Sequence, residues 1–120
     1  MLYDPKWTTK TKPTSAKDVL VAARHILENP DHWTKGCFAR TAGGGEVDAE
    51  DAVAKSFCVH GAIIAAAGGF DVPFRNEALN LLRTAASPSS GFPGGWNDAP
   101  SRTHADVLAA FDRAIESAHC

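Results

Sequence analysis

The sequence predicts a mainly α protein: a compact four-helix domain, with a short β-hairpin available between the first and second helices. Two observations carry this reading. Several stretches repeat apolar residues at i, i+3, i+4 and i+7, the spacing of one buried helix face, and they open on helix-capping residues. Between them, glycine and proline clusters at 43–45, 68–69 and 87–95 interrupt regular structure. The 120 residues suit one domain, and a composition of 44% hydrophobic and 22% charged residues can supply a buried core.

Residues 1–14 read as an extended, partly ordered arm. Lys6, Lys10 and Lys12 stand among threonines, and Pro13 disfavours helix just before it. Tyr3 and Trp7 are the apolar groups available to pin the arm to the body. Residues 15–120 are expected to form the single helical domain. Its first helix is expected over Ala16–Asn29, because Ser15 is a good N-cap and Asp18 follows three residues later. Val19, Ala22, Ala23, Ile26 and Leu27 mark its buried face, and Asn29-Pro30 ends it.

An aromatic stretch over 31–40 contains Trp33 and Phe38. Residues 37–40 and 46–47 can pair as a small hairpin across Gly43-Gly44-Gly45, or stay an irregular loop. The glycine run is a poor phosphate loop, since no Lys-Ser or Lys-Thr opens a helix behind it.

The second helix is expected over Ala49–Ala67, capped by Asp48, with its acids at the N-terminus where the helix dipole favours them. Phe57, Cys58, Ala62, Ala65 and Ala66 make it apolar on several sides, which marks a central helix. Gly61 and the alanines near it would let a neighbour approach closely, and Gly68-Gly69 stop the helix. A third helix follows Pro73 and buries Ala78, Leu81, Leu82 and Ala85. The Ser/Pro/Gly loop over 87–95 leads into a turn-forming cluster, Trp96-Asn97-Asp98-Ala99-Pro100. The fourth helix starts from Thr103, with Asp106 completing a capping box, and runs to the C-terminus on Val107, Ala110, Phe111, Ala114, Ile115 and Ala118.

The net charge is -2, from 12 Lys+Arg against 14 Asp+Glu, which argues against a nucleic-acid-coating protein. Residues 1–14 lack the apolar run of a signal peptide, and the window 59–69 is too short to span a bilayer, so a cytoplasmic protein is expected. Cys37, Cys58 and Cys120 are an odd set at irregular spacing, so reduced thiols are expected rather than a disulfide framework.

The candidate catalytic residues are Cys58, His104 and Asp98 (or Asn97 in its place). A nucleophilic cysteine needs a base within hydrogen-bond reach and a group that orients the base, in any sequence order. Against this, a position in mid-helix does not activate Cys58, and cysteine is often a core residue. No metal site is expected: Cys58 and His60, two apart on a helix, point about 200° from each other and cannot share an ion. No cofactor is expected either. Trp96, Asn97, Asp98 and Arg102 are the candidates for binding a partner or ligand, with Trp96 and Arg102 framing a pocket and Asp98 its polar anchor. The plainer reading of the same residues is a plug held by local hydrogen bonds.

Phe57-Cys58-x-x-Gly61-Ala62-Ile63, then Trp96-Asn97-Asp98 and Arg102-Thr103-His104-x-x-Val107, resemble the DUF6197-like family of small uncharacterised bacterial and phage proteins. Trp33-Thr34-Lys35-Gly36-Cys37-Phe38 resembles a further stretch of it. The resemblance covers most of the chain and implies the fold and the domain limits, with no activity attached.

The preferred expectation is a small cytoplasmic protein-binding or regulatory module, associated with a phage or other mobile element. Its partner would be another protein, with no membrane and no nucleic acid involved. The alternatives are a cysteine-dependent hydrolase or transferase using Cys58 and His104, and a protein that self-associates through the Gly/Ala face of the second helix.

Overall fold

A computed structural model describes residues 15–68, 73–86 and 94–118. The expected arm over 1–14, most of the loop over 87–95, and Cys120 lie outside the described residues.

Helix α1 (Ala16–Leu27) opens as expected, with the Ser15 hydroxyl accepting the Asp18 N–H at 3.1 Å. It buries Ala16, Val19, Leu20, Ala23, Ile26 and Leu27. It stops before Asn29, whose side-chain oxygen instead accepts the Asp31 N–H at 2.9 Å and starts a 3₁₀ turn, Pro30–His32.

The expected hairpin is present. Strands β1 (Ala39–Arg40) and β2 (Glu46–Val47) pair antiparallel, Ala39 opposite Val47. The second helix is shorter than expected: α2 spans Val59–Ala67, not Ala49–Ala67. Two causes end the helical reading of 49–57. Asp51 accepts the Val53 N–H at 3.0 Å and holds its own backbone in a turn, the local competition that keeps Asp out of helix interiors. Ser56 and Phe57 then form β3, pairing antiparallel with β1 on the side away from β2. The sheet order is β2-β1-β3, and Trp33 bridges to Phe57.

Helix α2 is central, as its apolar circumference predicted. Val59, Ala62, Ile63 and Ile64 have no exposure, and it packs on α1, on α3 (Pro73–Ala85) and on the one-turn α4 (Gly94–Asp98). Gly68, at φ 92°, is its left-handed C-cap. The close approach expected at Gly61 is real, but the neighbour is backbone and not a helix. A Cβ built on Gly61 would overlap the Phe38 carbonyl oxygen and lie 2.9 Å from the carbonyl carbon. The residues 96–98 expected as a turn end the short helix α4.

Helix α5 (His104–Ser117) has the full Thr103/Asp106 capping box and buries Val107, Ala110, Phe111 and Ala114. It packs on α1 and α3. Arg24 of α1 binds Asp112 of α5 at 2.6 Å and Glu28 at 3.3 Å along its outer surface. Among the described residues, no helix is long and apolar enough to cross a membrane.

Candidate functional site

Of the sequence-predicted residues, Cys58, Asn97 and Asp98 come together where β3 runs into α2, and no contact joins His104 to Cys58 there. Ser56-Phe57 must leave the sheet at Cys58 to start a helix, and the first N–H groups of that helix need partners. Two side chains supply them. Cys58 is the N-cap, its Sγ accepting the Gly61 N–H at 3.2 Å. Asn97, reaching over from α4, accepts the Val59 N–H at 3.1 Å.

Asn97 is the hub of this junction. It has no exposure, and its Oδ1 also accepts from Trp33 Nε1 at 2.8 Å. Its Nδ2 donates to the Thr34 carbonyl at 3.0 Å and to Asp98 Oδ1 at 2.9 Å. A buried amide can offer two donors and accept at two lone pairs, and all are used. Asp98 Oδ1 further accepts the Gly36 N–H at 2.9 Å.

Trp96 and Arg102 are likewise turned to structure. The Arg102 guanidinium lies 4.1 Å from the Trp96 ring centroid, and its Nε donates to the Trp96 carbonyl at 2.9 Å. Lys35 ties down the next turn through the carbonyls of Ala99 at 2.9 Å and Arg102 at 3.2 Å. Trp96 is 4% exposed, so it is a plug, and the pocket expected between it and Arg102 is filled by their own contact.

His104 serves the end of α1. Its Nε2–H donates to the Leu27 carbonyl at 2.6 Å, satisfying a last-turn carbonyl that has no partner within the helix. The imidazole also lies 6.2 Å from the Trp33 ring.

Cys58 and Asp98, by contrast, share an open hollow of about 510 Å³, and the imidazole they share it with is His60. Cys58 is buried and His60 half-buried, while Phe38, Glu46, Asp48 and Asp98 are exposed around the same space. The sequence reading excludes Cys58 and His60 as ligands of one metal ion on the ground that both lie within a helix. With Cys58 at the N-cap, in extended backbone, the helical 200° argument does not apply to the pair.

Two opposing effects act on the Cys58 thiol. Burial pushes its pKa up, the backbone N–H groups of Gly61 and His60 pull it down, and the negative charge of Asp98 pushes it up again. Burial is the largest and the net direction is upward, so the thiol stays protonated at neutral pH. Burial, with help from the positive charge of Arg75, lowers the pKa of His60 and keeps that ring neutral. His60 stands edge-on to Phe38, 5.0 Å between centroids, and its Nε2 is buried with no hydrogen-bond partner.

Among the described residues, no three His, Cys, Asp or Glu side chains are grouped so as to hold a metal ion. A second hollow, about 560 Å³, lies between the end of α1, residues 49–55 and α2, and contains none of the candidate residues.

A family model described as a family of unknown function (DUF6197) matches residues 11–117. The chain belongs to this family. The matched stretch spans Cys58, Gly61 and Asn97. No match is found among curated proteins or among solved structures.

Proposed function

We propose that this member of the DUF6197 family is a small cytoplasmic protein-binding or regulatory module, serving a phage or other mobile element, that docks its partner at the hollow beside β2. The observation that carries the reading is Phe38. It is a large aromatic residue, 39% exposed, that precedes β1 and lines an open hollow together with both residues of β2. Exposed aromatic rings beside a concavity are the usual anchors of protein interfaces. The candidate catalytic set supports binding over catalysis. The Cys58 thiol is held neutral, and His104 Nε2 is engaged by the Leu27 carbonyl.

The test is a Phe38→Glu variant compared with wild type in affinity purification from the host, followed by reconstitution with the purified partner. The expected result is a defined complex with wild type, weakened at least tenfold by the variant, with unchanged thermal stability. Identical complexes from both proteins would remove this face from consideration.

A second reading rests on Cys58, His60 and Asp98 lining one hollow: a thiol-dependent hydrolase or transferase in which His60 takes the role expected of His104. It requires that a thiol reagent label Cys58 at neutral pH faster than an unfolded cysteine. Burial of Cys58, at 6% exposure, predicts the opposite, slow labelling that accelerates on unfolding. Self-association through the Gly/Ala face of α2 finds less support, because Gly61 and Ala62 are buried inside the chain itself.

A further inference from the structure

We propose that the occupant of this hollow is an extended segment of the partner protein, which adds to the free edge of β2 and places one lysine or arginine side chain in the hollow. The proposal rests on the reading that this face is a docking surface, and it names the partner's chemistry.

Three independent features meet here. First, β2 is an outer strand of the order β2-β1-β3, and among the described residues no strand pairs with its far side, whereas the other outer strand, β3, carries the Trp33 bridge. An unpaired edge offers main-chain donors and acceptors to an added strand, and a pocket beside it reads alternate side chains. Glu46 and Val47, the two residues of β2, both line the hollow, so edge and pocket are continuous.

Second, the charged side chains that line the hollow are all acidic; Arg40, opposite Glu46 on β1, spends its guanidinium on the Thr34 hydroxyl and the carbonyls of Lys35 and Gly44. Glu46, Asp48 and Asp98 are exposed around the hollow, and no lysine or arginine lines it. Among the described residues, none of the three carboxylates forms a salt bridge. Arg75, whose charge reaches His60, is not a lining residue. An acidic side chain on the guest would face three like charges, whereas a cationic one would be attracted by all three.

Third, the inner surface suits the stem of a long cation. Phe38 and Val47 offer apolar and aromatic surface to the methylenes of Lys or Arg, with the charged head left among the carboxylates. The neutral imidazole of His60, which lines the hollow, does not repel that head.

The test is a library of seven-residue peptides on an alternating Thr/Val framework, with the central residue varied, panned on the full chain and followed by fluorescence anisotropy of single peptides. Lys or Arg should be enriched at the centre, and Glu at that position should abolish binding. In the Glu46→Gln/Asp48→Asn double variant, the Kd of the Lys peptide should rise about three- to tenfold, with its salt dependence reduced. Enrichment of an apolar or acidic centre, or a Kd unmoved by the double variant, overturns the cationic guest. Retention of no peptide at all overturns strand addition. In both of those cases a complex still sensitive to Phe38→Glu would leave the docking face itself standing, so the two failures are told apart.

Discussion

Helices α1, α2, α3 and α5 bury apolar stripes against one another, whereas residues 33–58 and the short α4 are held by buried polar bonds and one close backbone contact. On the helical side, side chains such as Leu20, Ile63, Leu82 and Phe111 have no exposure, and no hydrogen bond of theirs is at stake. On the other side, Asn97 joins Trp33, Thr34, Val59 and Asp98, and Gly61 rests on the Phe38 carbonyl. Apolar contacts weaken gradually as they are trimmed, because nearby atoms can partly close a gap. A buried amide with all its partners, or a glycine touching backbone, has no such tolerance. The strand side should therefore be the more brittle to a single small change, and it is the side that carries the open hollow.

The sharpest way to break this comparison is Gly61→Ala. Alanine is favoured over glycine in a helix by about 1 kcal/mol, so propensity alone predicts stabilisation. The Cβ overlap with the Phe38 carbonyl predicts instead a loss of about 3 kcal/mol, since backbone on the far side cannot rotate away. The reverse change on the exposed face of α5, Ala109→Gly, should cost only about 1 kcal/mol. Urea unfolding midpoints of the two variants decide the matter, and equal effects would show that the two regions are alike.

A slightly smaller effect is expected from Asn97→Ala, about 2–3 kcal/mol, because Trp33 Nε1 and the Val59 N–H lose their acceptor inside the protein. Amide hydrogen exchange should localise the damage to Trp33, Thr34 and the first turn of α2, leaving α1 and α5 protected. Uniform loss of protection would mean that the hub supports the whole domain.

The smallest effect is a pH dependence. His60 has a pKa below its ordinary 6.5 in the folded chain, so the unfolded chain binds more protons just below that pH. Its contribution to stability is complete above about 6.5 and is lost as pH falls from there toward the folded pKa. Comparing His60→Gln with wild type across pH 7 to 5 isolates it. The variant should show a shallower fall in stability, and parallel curves would mean that His60 is solvated.

Much of the helical side was readable from local signals. The Ser15 and Thr103 caps, the apolar spacing of α1 and α5, the glycine stop at Gly68 and the central character of α2 all depend on residues within about one or two turns of each other. The site was readable only in part. Cys58, Asp98 and Asn97 stand out by residue type and motif, whereas His60 enters the sequence reading only as a metal ligand beside Cys58, a pairing that a helix starting ten residues before Val59 excludes. The signal that would have corrected it was Asp51, a residue that bonds its own backbone and opposes helix, followed by Ser56-Phe57 as a possible third strand.

By itself, the sequence determined a mainly α domain, the caps of α1 and α5 and the apolar helix faces, and left the hairpin across the glycines open against a loop, because caps and faces are interactions between near neighbours in the chain. Only the tertiary structure decided that Ser56-Phe57 is a strand, that Asn97 is spent on cohesion, and that Cys58, His60 and Asp98 open onto one hollow. The strand needs β1 partners outside its own turn, and the bonds of Asn97 join residues 38 to 64 apart, which no local pattern reports.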